Sequence, residues 1–253
     1  MSTTTPRSEL LPKERQHNVA AMGGILQANK PVVGGYLADG RPSSSLFYWS
    51  HSHFTDDFEF GLHDHQGFEI ITVILEGTNS HYDTATRRWA DLAAGDVQII
   101  PSGSGVSHNE RVAKGARAFQ IWFDPDFHSA LKTKASYVDH HAPEFVPVDF
   151  EGFSITAIAG REAPVAVSTP GLTMRRVRIQ PDAEALIPVE ADHLAFCYVI
   201  SGSAHIDGQA AHLDDLVTTS NATDVAITAG AGAADIFVIT VPERPHYVPV
   251  RGR

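Results

Sequence analysis

Two short segments carry residues whose types and spacing could do chemistry. The first is Gly61–Glu69, GLHDHQGFE, with His63 and His65 two residues apart. In an extended strand, side chains two apart point to the same face, so both imidazoles can reach one ion. The second is Gly95–Glu110, GDVQIIPSGSGVSHNE, where His108 and Glu110 repeat that spacing. Two such strands facing each other inside a barrel would gather three imidazoles and a carboxylate. That donor set suits a divalent first-row metal and leaves coordination positions open. A His-x-His pair alone is weak evidence, because the chain has 14 histidines and His51-Ser52-His53 is another such pair. The glycine-rich settings add weight. Gly77, Gly95 and Pro101-Ser102-Gly103 mark turns that bring the strands back together.

The elements that must position these residues read as strands. Short runs rich in Val, Ile, Phe and Tyr recur at close spacing, among them Leu46–Trp49, Ile70–Leu75, Val97–Ile100, Ala118–Phe123, Phe196–Ile200 and Ile236–Val241. Gly, Pro, Asp and Asn clusters separate them, which is an all-β pattern of sandwich or barrel type. The one helix candidate is short, Asp126–Lys134. A turn-rich stretch, Asp139–Phe150, divides the chain, and each side holds a strand–Gly–strand block. Ile71–Asp83, ITVILEGTNSHYD, is echoed by Phe196–Asp207, FCYVISGSAHID, with Gly77 matching Gly202 and His205 falling one place before the position of His81. Leu92–Ile100 is echoed in the same order by Ala211–Thr219. Two β-barrel domains in tandem are therefore expected, related by duplication. Their expected bounds are 19–140 and 141–253, after a loose polar segment, 1–18.

The second half loses the chemistry. The Gly77–Gly202 offset puts Pro188 and Glu190 opposite His63 and His65, and sliding the second motif by the Leu92–Ala211 offset puts Ile227 and Ala229 opposite His108 and Glu110. The metal-binding barrel is therefore the first, and the second is a structural or regulatory partner. Its remaining histidines, His193, His205, His212 and His246, are expected at the surface or in hydrogen bonds.

Composition removes other classes. Nineteen basic against 30 acidic residues give a formal charge of −11, which disfavours a nucleic-acid surface. One cysteine, Cys197, rules out an internal disulfide framework and a Cys-rich zinc site, and its apolar strand suggests a buried small hydrophobe. No apolar run approaches the roughly 20 residues of a membrane span, and MSTTTPRSELLPKERQ lacks a signal-peptide core. A cytoplasmic protein is expected. No G-x-S-x-G nucleophile elbow occurs. Gly103-Ser104-Gly105 lies in a β context with no helix to bind phosphate.

The two segments resemble the paired motifs of the cupin superfamily, and their wording resembles the pirin family. HDHQGFEIITVILEG is similar to that family's HPHRGFETVTYVLEG, HYD at 81–83 to its HRD, GDVQIIPSGSGVSHNE to its GDVQWMTAGRGIVHSE, and FQIWFD at 119–124 to its LQLWVN. The close similarity covers about residues 61–125. It implies a bicupin fold with one metal in the first barrel, ligated by His63, His65, His108 and Glu110. Cupins at large use the carboxylate at Glu69 instead, so Glu69 is the second candidate for the fourth ligand. The implied metal is Fe(2+), with Mn, Ni, Cu or Zn as alternatives. The implied activity is that of quercetin 2,3-dioxygenase, acting on a small phenolic substrate with dioxygen, and Glu110 doubles as catalytic base. The alternative is a non-enzymatic, redox-sensing binding protein that acts through a protein partner. A monomer is expected. Pirins usually carry Arg where Gln66 stands, so a cation near the site is missing.

Overall fold

A computed structural model describes residues 5–84 and 86–251. Its elements are almost all strands, as the alternating runs imply. The chain divides into two compact units, residues 17–144 with 247–253, and residues 1–16 with 145–246.

The first unit is a two-sheet barrel. Its large sheet runs in the order Val138–His140, Val97–Pro101, Glu69–Glu76, Arg117–Phe123, Leu46–Phe54, Leu26–Val33, His17–Ala21. Its smaller sheet runs Trp89–Ala93, Thr78–Asp83, Val106–Val112, with both Phe58–Glu59 and His63–His65 paired to Val106–Val112. Strand alternation assigns the faces. On Arg117–Phe123, the side chains of Phe119, Ile121 and Phe123 are fully buried on one face. Ala118, Gln120 and Trp122 occupy the other face. Gln120 reaches Glu110 of the opposite sheet, so that second face looks into the barrel.

The second unit repeats the pairing order. Leu216–Ser220, His193–Ser201, Ala234–Pro242 and Thr173–Ile179 follow one another in one sheet. Gln209–His212, Ser203–Ile206, Asp224–Ala229 and Glu184–Pro188 form the other. Its interior is filled by Val177, Ile187, Cys197, Val199, Ile206, Val225, Ile227 and Val238. By strand register, Val225 and Ile227 occupy the positions of the first barrel's His108 and Glu110, two residues before the pair expected from sequence, and both are buried in that apolar core. Burial there pushes the Cys197 thiol pKa up, which makes it an inert core residue.

Two local expectations are corrected. Residues 7–11 are not loose: Arg7–Leu11 pairs antiparallel with Leu216–Ser220, and Leu11 is fully buried. The turn after it is tied down by Lys13, whose backbone N–H donates to Asp215 Oδ1 at 2.8 Å and whose Nζ lies 2.7 Å from Asp214 Oδ2. So short and polar a strand carries no periodic signal, and its order comes from the sheet it joins. The helix is also shorter than Asp126–Lys134, covering only Phe127–Ala130. Its N-cap, Asp126, is left-handed, and the Phe127 N–H donates to Asp124 Oδ1 at 2.6 Å. That turn seats the Phe127 ring where a side chain at Gly67 would stand, 2.3 Å from an ideal Cβ, and Gly67 has φ +77°. Glycine is thus required between the first histidine pair and the strand that follows.

Candidate metal centre

His63–His65 pairs antiparallel with Val106–Val112 so that His63 stands opposite His108 and His65 opposite Val106. Strand alternation then turns all three imidazoles to one side. Ring centroids lie 4.3 Å apart for His63–His108, 4.7 Å for His65–His108 and 5.0 Å for His63–His65. One ligand nitrogen from each falls within 4.8 Å of the others. His63 Nδ1 donates to the Gly61 carbonyl at 2.9 Å, which fixes the tautomer and leaves the Nε2 lone pair available.

These residues fit a divalent metal on the structure's own terms. His108 is buried and neither of its ring nitrogens has a hydrogen-bond partner. A buried polar atom without a partner is costly, and a metal bond would satisfy it. Burial, then the neighbouring imidazoles His65, His63 and His81, drives the His108 pKa down to about 2. His65 falls to about 4, from burial first and His63 second, with Asp64 opposing. These imidazoles are neutral at physiological pH, which is the form that ligates.

Glu110 is placed differently from the histidines. It is buried, but it is not part of the three-histidine set. Its carboxylate accepts from Asn79 Nδ2 and Gln120 Nε2, each at 3.4 Å. Burial raises its pKa, against lowering by His63 and these two amides. Glu69 is fully buried at the start of its strand, opposite Pro101 and Phe123, and is also outside the set.

Other residues singled out by type find clear places. His51 is buried and bonded to Arg117 Nη2 at 3.1 Å, and His53 is exposed, so that His-x-His pair serves no site. Trp122 turns its ring edge-on to His65, with centroids 4.9 Å apart. Phe119 packs with Trp49 instead. His81, readable from sequence as either a mouth or a surface residue, is buried, 5.1 Å from the His108 ring and stacked on Tyr137 at 4.9 Å. Tyr137 in turn donates to Asp139. In the second unit His205, His212 and His246 are exposed, and His193 Nδ1 donates to the Ala191 carbonyl. Tyr137, Asn79 and Gln120 escaped the sequence reading. A usable signal existed for two of them: Asn79 lies two before His81, and Gln120 two before Trp122, so each shares a face with a residue already suspected.

The site opens at one side. A groove of about 480 Å³ is lined by Asp64, His65, Gln66, Thr84, Gly105, Val106 and Ser107. Gln66 sits exposed on it, so the side chain there is neutral where a cation was noted as missing.

Residues 37–123 match the family model for Pirin. This segment is a Pirin domain. It contains all four motif positions, His63, His65, His108 and Glu110. The chain is 39% identical over 80 residues to a Zymomonas mobilis protein that carries the provisional name quercetin 2,3-dioxygenase, covering 31% of this chain and 34% of that protein. It is 27% identical over 154 residues to a pirin-like protein of Solanum lycopersicum, covering 56% of this chain and 50% of that one. The first of these relatives are thus matched over a third to a half of their own length. In fold, the pirin-bearing chain is similar to the bacterial pirin YhhW of Escherichia coli in complex with nickel(II). The TM-score is 0.77 at 18% identity, covering 94% of this chain and 100% of that one. The shared architecture is the bicupin fold expected of pirins. No helix among the described residues is long and apolar enough to cross a membrane.

Proposed function

We propose that this protein is a pirin-type, metal-dependent oxygenase acting on a small phenolic compound with dioxygen, with flavonol cleavage of the quercetin 2,3-dioxygenase type as the specific reaction. The observation that supports it best is the cluster of His63, His65 and His108, in which His108 is buried with no hydrogen-bond partner, beside an open groove. His63, His65 and His108 would hold one divalent ion, with Glu110 as fourth ligand. Fe(2+) is the first choice among Fe, Mn, Ni, Cu and Zn. When bound, such a metal supplies Lewis acidity and one-electron chemistry toward dioxygen.

The remaining roles fall to the chain's own groups. Glu110 is the base for the phenolic hydroxyl. Burial raises its pKa, which makes the carboxylate a stronger base. Asn79 and Gln120 hold that carboxylate in place. Trp122, edge-on to His65, gives the site an apolar wall that limits water. Gln66 offers the groove an amide and no charge, so a phenolate is held less firmly there and slow turnover is expected.

The test is oxygen uptake with quercetin and simple catechols, using protein reloaded with Fe(2+). Uptake that disappears in His63→Ala supports the reading. Full metal content with no uptake across the panel overturns it and favours a sensor that works through a partner protein.

A further inference from the structure

The interior of the first barrel holds a second polar feature whose walls include none of the three histidines. It is a cavity of about 90 Å³ bordered by Glu110. One water needs roughly 10–15 Å³ on this measure, so the cavity has room for several waters or one molecule of about six heavy atoms. A three-ring flavonol is too large for it.

Its walls are mostly apolar but carry a polar band, and Arg117, held by Glu76 and His51, also borders it. On the large sheet, Ser50, Gln120 and Thr72 stand in consecutive cross-strand register, all facing inward. Ser50 and Thr72 are almost fully buried. Lys30 extends this row at the irregular pairing between Asn29 and Val32. Among the described residues no carboxylate pairs with Lys30; its ammonium lies 5.3 Å over the Tyr48 ring. The opposite sheet supplies Asn79 and Glu110. Asn79 is 5% exposed and spends its Nδ2 on Glu110, while its Oδ1 has no hydrogen-bond partner. One wall therefore offers a cation and hydroxyls, and the facing wall offers one acceptor in need of a donor, Asn79 Oδ1, beside the Glu110 carboxylate. Buried polar groups are tolerated when something satisfies them.

We propose that this cavity binds a small carboxylate bearing a hydrogen-bond donor on the adjacent carbon. The carboxylate lies toward Lys30 and Ser50. The donor, a hydroxyl or an ammonium, lies toward Asn79 Oδ1 and Glu110. A dianion is disfavoured by Glu110, and a fully apolar guest leaves Asn79 and Lys30 unsatisfied. This pocket stands whether or not the protein is an oxygenase, because its test reads binding and no turnover.

The probes are L-lactate, L-alanine and propionate, nearly isosteric and differing at one substituent. Their dissociation constants follow from thermal-denaturation titrations of the metal-loaded full chain. Lactate or alanine is expected to bind at least tenfold more tightly than propionate, and the better of the two identifies the donor as hydroxyl or ammonium. Lys30→Met should weaken that binding at least tenfold, with Lys30→Arg retaining most of it. Asn79→Ala should reduce the preferred probe to the level of propionate. The proposal is overturned if no probe gives a saturable shift, which would mean the cavity holds water only. It is also overturned if propionate binds as well as the others, or if folded Lys30→Met binds like the parent protein.

Discussion

His63 and His108 sit directly opposite each other in antiparallel register, with ring centroids 4.3 Å apart. Neighbouring strands bring facing side chains this close by geometry alone. Two adjacent imidazoles gain little from each other, and His108 has no hydrogen-bond partner on either nitrogen. The arrangement becomes favourable when an ion lies between them.

The two buried glutamates can be separated by mutation. Glu110→Ala is expected to reduce metal affinity at least tenfold, as a ligand or as a support for one, since outer-sphere partners alone are typically worth 10–100-fold. Glu69→Ala is expected to cost less affinity. Titration of each apo variant with Fe(2+) or Ni(2+) decides the matter, and the reverse order would make Glu69 the fourth ligand.

Acid should destabilise the metal-free protein. His65 and His81 have folded pKa values lowered to about 4, and His108 to about 2, burial being the main cause in each. Unfolded imidazoles titrate near 6.5. Below that pH the unfolded chain binds protons that the folded chain refuses, so stability is complete above pH 6.5 and falls as pH drops toward 4. A loss on the order of 3 kcal/mol per histidine over that window is expected. Denaturant midpoints from pH 7 to pH 4 measure it, and a flat profile would count against buried neutral histidines.

The amino-terminal strand should matter to stability and not to metal. Leu11 is fully buried against the second unit's sheet, so Leu11→Ala is expected to cost roughly 2–5 kcal/mol. Metal content should be unchanged, because among the described residues the metal-binding histidine cluster lies in the first unit. Thermal melts with elemental analysis on the same sample check both halves of this expectation.

Much of this molecule was legible in its residues. The all-β class follows from short Val/Ile/Phe runs between turn residues, and the repeated pairing order follows from Gly77 and Gly202 at matching places. The histidine cluster was readable because a two-residue spacing in a strand has one geometric meaning. What escaped depends on pairing between distant segments. Arg7–Leu11 is ordered by Leu216–Ser220, some 200 residues away. His81 is buried because Tyr137 stacks on it from another strand's end. Glu110 is bonded by Asn79 and Gln120, which come from two other strands, and it lies outside the three-imidazole set. Sequence spacing put His108 and Glu110 on one face, and it could not say how far each side chain reaches.

The most direct test is elemental analysis of protein purified without added metal or chelator, alongside His108→Ala. One first-row divalent ion per chain is expected in the parent protein, and far less than one in His108→Ala. No tightly bound metal in the parent after reloading, or an unchanged ion in His108→Ala, would contradict a metal centre built on His63, His65 and His108.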